Sequence, residues 1–378
     1  MTPRFTSPSL NFARELIAWY QVHRRSLPWR ETDNPYFIWI SEAILQQTRV
    51  AQGLDYYLTF TRTFPSVQDL ADAPIDAVMK VWQGLGYYTR ARNLHKAAKI
   101  IMEKHNGQIP STYEELLQLP GLGPYAAGAV ASFAFHQPVP AIDGNVYRIL
   151  ARIFGIFESP GKATGKKIFR ELCTEMMDRS QPHIYNQALI DFGALQCIPT
   201  MPNCAQCPFP SLCYAEANNL QLQLPTKERT LKLRTRFFHF FMIRFRNSTY
   251  IERREGKDIW NSLYQFPLVE VSQRMSIDDV MRQQEVVDMI GHDYSLIQSS
   301  DEIRQLLSHQ ELFIRFHIVQ LQSARYELNS NYQRVPVSDI FNYQVPISIH
   351  NYLVAEEAAP YFVTAKDNHD ETDQNISK

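Results

Sequence analysis

The chain has 378 residues, 45% hydrophobic and 20% charged, which suits two or three folded domains and is too apolar for overall disorder. Its 38 Lys and Arg against 39 Asp and Glu leave a formal net charge of -1, with no sign of a strongly basic nucleic-acid binder. Five cysteines are too few for a disulfide scaffold, no apolar run reaches the roughly 18 residues that span a membrane, and Met1 to Leu10 lacks a basic-then-apolar signal layout, so a cytosolic protein is expected.

Residues 1–220 read as helices. Apolar positions recur at helical spacing in Phe12–Tyr20, Phe37–Leu45, Leu54–Phe60, Ala77–Trp82 and Ala126–Phe135, with breaks at Phe64-Pro65 and Asn106-Gly107. In the second of these, Glu42 has Ile38, Trp39 and Leu45 as its i−4, i−3 and i+3 neighbours. A carboxylate on so apolar a face loses solvation, which raises its pKa toward the range a general acid needs.

Leu119-Pro120-Gly121-Leu122-Gly123-Pro124-Tyr125 follows a short amphipathic helix, Tyr113 to Leu119, and precedes another. Gly121 and Gly123 permit positive φ and close approach of a ligand to the backbone, and Pro124 suits a first helical turn. Backbone N–H groups and a helix N-terminus aimed at one spot hold an anion without Lys or Arg, and neither occurs from His105 to Tyr147. This is a helix-hairpin-helix signature, which grips DNA phosphates and positions without reading sequence. Next, Asp143 stands as N-cap before a helix bearing Val146, Ile149, Leu150 and Ile153. Capping donors favour its ionised form.

Cys197, Cys204, Cys207 and Cys213 follow within 17 residues as C-x6-C-x2-C-x5-C, in a loop with Pro199, Pro202, Pro208 and Pro210. Such a loop cannot be a regular helix but can wrap around something small. Tetrahedral zinc fits four thiolates, usually as two C-x2-C pairs far apart; a single pair in one short loop favours a [4Fe–4S] cluster. Cys173, alone in a helical stretch, reads as a small core residue.

Residues 1–220 carry 20 basic and 18 acidic side chains, and residues 221–378 carry 18 and 21, so the two parts are +2 and -3. Lys227 to Arg246 holds seven basic residues and one acid, Glu228, as a basic linker leading into a strand. Phe241, Ile243 and Phe245 then alternate with Met242, Arg244 and Arg246, as in a half-buried strand, and Leu312, Ile314, Phe316 and Ile318 alternate likewise with Phe313, Arg315 and His317. Ser276 to Met289 between them suggests one amphipathic helix, capped by Ser276 and stopped by Gly291. Lys366 to Lys378 is polar and is expected to be disordered.

The order of a Glu on an apolar helix, a helix-hairpin-helix, Pro-x-x-Asp and a four-cysteine loop resembles the endonuclease III superfamily of DNA glycosylases, and within it the MutY-type adenine DNA glycosylases. The matching stretches are Leu27-Pro28-Trp29-Arg30, Trp39 to Val50, Gly84-Leu85-Gly86-Tyr87-Tyr88, Leu119 to Tyr125, Asp143-Gly144-Asn145-Val146 and the cysteine loop. The resemblance implies a [4Fe–4S] cofactor and excision of adenine paired with 8-oxoguanine or guanine in duplex DNA, by a monomer that is nucleoid-associated if bacterial. By carry-over, Glu42 protonates adenine N7 and later activates water, while Asp143 stabilises the oxocarbenium-like sugar with support from Tyr125 and Asn145. Gln47 and Tyr87 wedge into the duplex, and Leu27, Trp29 and Arg30 form the adenine pocket. Relatives that also cut the backbone carry a Lys nucleophile where this chain has Tyr125, so a monofunctional glycosylase is expected.

The C-terminal part resembles the family's Nudix-like recognition domain in Arg253 to Trp260 and Gln265-Phe266-Pro267, but Ser272 to Gly291 lacks the hydrolase box. Leu307-Ser308-His309 resembles a Phe-Ser-His loop that contacts 8-oxoguanine; Leu307 departs from the pattern, and Ser308 is the hydrogen-bonding candidate. The expected fold is therefore multidomain: an all-α helix-hairpin-helix glycosylase domain over 1–220 with its iron–sulfur loop, a basic linker over 221–235, an α+β Nudix-like domain over 236–365, and a tail over 366–378. The alternatives are an endonuclease III-like pyrimidine-damage glycosylase/lyase, a non-catalytic iron–sulfur DNA-binding protein and an oxidised-nucleotide hydrolase, the last disfavoured by the missing box.

Overall fold

A computed structural model describes residues 9–226, 233–256, 258–307, 309–322 and 331–355. Ser308, much of the basic linker and the expected tail lie outside the described residues. The chain divides into two compact units, one from Met1–Val81 and Thr89–Arg229, the other from Trp82–Tyr88 and Thr230–Lys378.

The first unit is helical among the described residues: α1 (Ser9–His23), α2 (Pro35–Leu45), α3 (Val50–Thr63), α4 (Val67–Asp72), α5 (Ile75–Val81), α6 (Thr89–Lys104), α7 (Tyr113–Leu116), α8 (Pro124–Phe135), α9 (Gly144–Phe154), α10 (Ala163–Glu175), α11 (Pro182–Leu195) and α12 (Tyr214–Ala217). Local chemistry sets the ends of those that build the site. Asn34 caps α2 by accepting from Tyr36 N at 2.9 Å, with Pro35 in the first turn. Thr112 caps α7, accepting from Glu115 N at 3.3 Å and donating its hydroxyl to Glu115 Oε2 at 2.6 Å. Helix α8 is buried from Ala126 to Phe133, and its small residues allow the close contacts such a position demands. A Cβ at Gly128 would stand 2.6 Å from the Pro140 carbonyl oxygen. Phe12 and Leu16 of α1, Ile149 of α9, Phe169 of α10 and Phe192 of α11 share one core, which also contains Cys173.

In the second unit, β1 (Arg234–Phe245), β2 (Ser248–Arg253), β3 (Tyr264–Gln265) and β4 (Leu268–Val271) precede α13 (Ile277–Met281) and α14 (Gln284–Ile290). Then come β5 (Tyr294–Ser299), β6 (Ile303–Leu306), β7 (Gln310–Leu321), β8 (Gln333–Pro336) and α15 (Ile347–Val354). The eight strands form one mixed sheet with β1 and β7 paired in parallel at its centre and antiparallel partners on either side. Phe238, Phe240, Ile314 and Phe316 pack on one face with Ile349 and Tyr352 of α15, while Phe241, Ile243 and Val319 pack on the other with Val280, Val286 and Ile290. This is the α+β architecture of a Nudix-like domain.

Two expectations change here. The strand at Phe241 is not half-buried: Phe238 to Ile243 are all buried, because helices cover both faces of the sheet at β1. The single helix from Ser276 is two, broken at Gln283, whose ψ of 136° is extended. Val280 and Val286 both reach the core, yet six residues at about 100° each would turn them to different faces of one helix. The break rotates the second helix so that both are buried. Ser276 does cap the first, accepting from Asp279 N at 3.2 Å, and Gly291 follows the second with φ of +69°.

Candidate active site

In the first unit, α2, α8, α9, α11 and the short turn Pro28–Arg30 wall a cleft of about 810 Å³. Leu27, Trp29, Arg30, Glu42, Gln47, Tyr125, Asp143 and Asn145 all line it. They come from stretches up to about 120 residues apart in sequence, so their convergence is a tertiary result.

Glu42 is 7% exposed, between the apolar residues of α2 and the cleft. Burial pushes its carboxyl up to about 7, opposed by a hydrogen bond from Tyr125 and by the Arg30 cation, and reinforced by the Asp143 charge. Tyr125, in the first turn of α8, has a phenol held well above its usual range by burial and by the two neighbouring carboxylates. It therefore stays a hydrogen-bond donor.

Asp143 caps α9, accepting from Val146 N at 2.9 Å and from Asn145 Nδ2 at 2.7 Å. Burial nevertheless raises its carboxyl above the ordinary aspartate value; the Val146 and Asn145 donors and the Arg148 cation pull the other way. The capping donors anticipated from sequence are present, and desolvation is the larger effect. Asn145 is itself held, since its Oδ1 accepts from Arg148 Nη2 at 2.8 Å. Arg148 also donates to the carbonyls of Gly193, at 2.7 Å, and Cys197, at 2.8 Å. Gly193 makes room for this, because a Cβ there would stand 2.6 Å from Asn145 Cβ.

Leu27 and Trp29 are buried as well as lining the cleft, with Trp29 edge-on to Tyr57 at 5.0 Å, so core and pocket wall coincide. Gln47 sits at the end of α2 with φ of +59°, a left-handed conformation that costs about 1 kcal/mol or more for a non-glycine residue. Arg90 supports this turn by donating from Nη1 to the carbonyls of Ala43, Ile44 and Gln46 at 2.9, 2.8 and 2.6 Å. Its guanidinium thus caps the C-terminus of the helix that carries Glu42. Tyr87, half-exposed with φ of +47°, belongs to the other unit and is not among the lining residues.

The hairpin glycines are exposed and lie outside the cleft. Gly121 has φ of +86° and its missing Cβ would meet Asn93 Cβ at 2.8 Å, so both backbone and packing require glycine there. Gly123 differs from expectation: its φ is -80°, and it is the N-cap of α8. Nothing lies within 4 Å of where its Cβ would be, which leaves open space before the free N–H groups of the first turn.

Cys197, Cys204, Cys207 and Cys213 line one small pocket with Arg152 and Phe192, all four half-buried. Arg152, 2% exposed, donates to Cys197 Sγ at 3.3 Å and to the Ile198 and Pro199 carbonyls at 2.8 Å each. Burial pushes the Cys204 thiol up to about 12 and the Cys207 thiol up to about 11, and neighbouring cysteines add to both shifts. Four thiolates so placed need a positive centre among them.

The sequence reading missed Arg25, Arg90, Arg148, Gln187 and Asp191. Asp191, 0% exposed on α11, pairs with Arg25 and Arg30 at the cleft wall. Gln187 lines the cleft, and its Oε1 accepts from Tyr20 at 2.7 Å. A signal existed for Asp191: a lone carboxylate in the apolar run Ala188-Leu189-Ile190-Asp191-Phe192 must be paired.

The family of HhH-GPD superfamily base excision DNA repair proteins matches residues 40–175. An adenine DNA glycosylase of Buchnera aphidicola subsp. Baizongia pistaciae is 35% identical over 316 residues, covering 81% of this chain and 85% of that protein. The chain belongs to the adenine DNA glycosylase family. As a member of it, the chain is an N-glycosyl hydrolase of base excision repair that acts on DNA. The human adenine DNA glycosylase is 41% identical over 222 residues, 56% of this chain and 41% of the human protein. Among solved structures, a thermostable thymine-DNA glycosylase matches with a TM-score of 0.51 and 26% identity over 56% of this chain and 97% of its own. An endonuclease III trapped on DNA matches with a TM-score of 0.50 and 21% identity over 57% of this chain and 100% of its own, a likeness of fold.

Proposed function

We propose that this glycosylase excises adenine opposite 8-oxoguanine or guanine in duplex DNA, and that it does so as a monofunctional, monomeric, cytoplasmic enzyme. The observation that supports this most directly is the pairing of Glu42, poised at about 7, with Asp143 in one cleft, Tyr125 hydrogen-bonded to the first. The target base must leave the stack to reach such a site. Glu42 in its protonated form donates to N7 of the flipped adenine, and the C1′–N9 bond breaks with its electron pair leaving on the base. The Asp143 carboxylate then faces the positive sugar, held in place by Asn145 and the backbone of Val146. Glu42, now ionised, takes a proton from the water that adds to C1′.

The monofunctional reading is supported by Tyr125, a phenol, and by the absence of lysine among the residues that line the cleft. Leu27, Trp29 and Arg30 form the base pocket. Gly121 and Gly123 present backbone amides to a phosphate, and Gln47 and Tyr87 fill the gap left by the base. The Nudix-like domain over 236–365, joined to the catalytic domain over 1–220 by the basic linker, reads the base opposite adenine through Ser308. Near it in sequence, Leu307 N donates to Gln310 O at 2.8 Å and the Leu307 side chain packs on the core, whereas Leu306 is 63% exposed. Leu306 is thus the better-placed apolar contact.

Cys197, Cys204, Cys207 and Cys213 hold a [4Fe–4S] cluster in this proposal. The support is that all four thiols line one pocket, as the thiolate ligands of a single cluster must. Bound there, the cluster would supply the positive centre that four thiolates need. The test uses duplexes with adenine opposite 8-oxoguanine, adenine opposite guanine, or oxidised thymine. Alkali-dependent cleavage confined to the adenine strands, lost in Glu42→Gln, is expected; borohydride trapping as strong as a true lyase's would overturn the monofunctional assignment.

A further inference from the structure

The Arg30 guanidinium is the cation facing Glu42, and its own partner is one buried carboxylate. Asp191 Oδ1 accepts from Arg30 Nη2 at 2.7 Å, and its Oδ2 accepts from Arg30 Nη1. Arg25 adds Nε at 2.8 Å and Nη2 at 2.5 Å to Oδ1, and its backbone N–H at 3.1 Å to Oδ2. Burial alone would raise the Asp191 carboxyl; the two guanidiniums instead hold it below the ordinary aspartate value. No other described carboxylate forms an ion pair with either arginine.

We propose that Asp191 is a positioning residue for the reaction: it fixes Arg30 in the pocket wall and offsets its charge, so that Glu42 can keep its proton at neutral pH. This rests on the reading of Glu42 as the acid. The groups facing Glu42 are Arg30 from the turn after α1, Tyr125 from α8 and Asp143 from the start of α9. Those facing Asp191 are Arg25 and Arg30, with Tyr20 of α1 nearby. Between side chains as buried as these, an unbalanced guanidinium acts at longer range than it would at the surface. With Asp191 neutral, Arg30 would draw the proton off Glu42 and would also be free to leave its place.

The experiment is single-turnover adenine excision at saturating enzyme across about pH 5.5 to 9, with wild type, Asp191→Asn and Arg30→Gln, each checked by thermal melting. In wild type the rate falls on the alkaline side as Glu42 loses its proton. In Asp191→Asn this fall moves to lower pH by about one unit, so the variant is roughly tenfold slower at high pH and recovers on acidification. Arg30→Gln removes the cation and moves the fall to higher pH. A loss in Asp191→Asn that is equal at every pH would mean a purely structural role and overturn the proposal. Should Asp191→Asn fail to fold, Arg30→Gln carries the test, and an unmoved alkaline limb there overturns it. Full activity of Glu42→Gln is a different failure, that of the acid assignment itself.

Discussion

Each unit buries ionisable side chains, and burial acts on them with opposite consequences. In the first unit desolvation lifts Glu42 to about 7, where it can hold or release a proton under ordinary conditions. In the second, His239 and His317 stack at the centre of the sheet, His239 Nδ1 lying 2.9 Å from His317 Nε2 and Ser299 Oγ 2.8 Å from His317 Nδ1. Burial, with the Arg315 cation, depresses them to about 4 and about 3. Both shifts penalise the charged form. A carboxyl is carried toward neutrality and becomes switchable; an imidazole is carried away from it and becomes an inert polar core group. A buried titratable residue is therefore a candidate for chemistry only when its shift ends near the working pH.

The largest expected effect comes from neutralising the two cleft carboxylates. Glu42→Gln should cut excision by about 10³-fold with little change in melting temperature, since it removes a proton donor and no packing. Asp143→Asn should cost a similar factor in single-turnover rate while the cap survives, because Asn caps as well as Asp. A large loss of stability in either would break the contrast between a carboxyl buried for chemistry and an imidazole pair buried for structure.

The histidine pair gives the next largest effect. Both folded values lie below the unfolded 6.5, so their contribution is complete above that pH and is lost as pH falls toward about 4. The stability of the second unit, followed by denaturant melts, should fall by on the order of 3 kcal/mol for each histidine between neutrality and about pH 4. Replacing His317 with Gln should flatten that dependence; a slope unchanged in His317→Gln would assign the acid sensitivity elsewhere.

Arg90→Ala deletes the donor to three carbonyls at the end of α2 and should destabilise the first unit by about 2 kcal/mol in a melt. It should also lower excision without changing its pH profile, since Arg90 does not face Glu42. The smallest effect sharpens the comparison from the catalytic side. Tyr125→Phe removes the hydrogen bond that favours ionised Glu42, so the alkaline fall in rate should move upward by less than about one pH unit. A move to lower pH would contradict the bonding seen at the site.

Much of the site was legible because its signals are local. A cap needs an Asp three residues before the amide it binds, as at Asp143 and Val146, and an apolar helix face shows in the neighbours of Glu42. The hairpin, too, is written in consecutive residues, although the positive φ expected at both glycines holds only at Gly121. Arg90 was not legible: by sequence it was an ordinary basic residue of a helix, and only folding brings it to carbonyls more than 40 positions away. The buried alternate face of β1, with Phe238, Phe240 and Met242, was hidden for the same reason, since what covers it comes from α15.

By itself, then, the sequence determined two units of different secondary structure, the caps and turns, the four thiols within one loop, and which acids were candidates. Periodicity, capping and spacing act over a few residues, where chain geometry leaves little choice. Tertiary structure alone decided that Asp143 would be desolvated despite its donors, that Leu306 and not Leu307 would be exposed, and that Arg30 would reach the cleft already paired. Arg25 and Asp191 meet across 166 positions. Desolvation and charge pairing depend on what arrives from elsewhere in the chain, and no local pattern records the arrival.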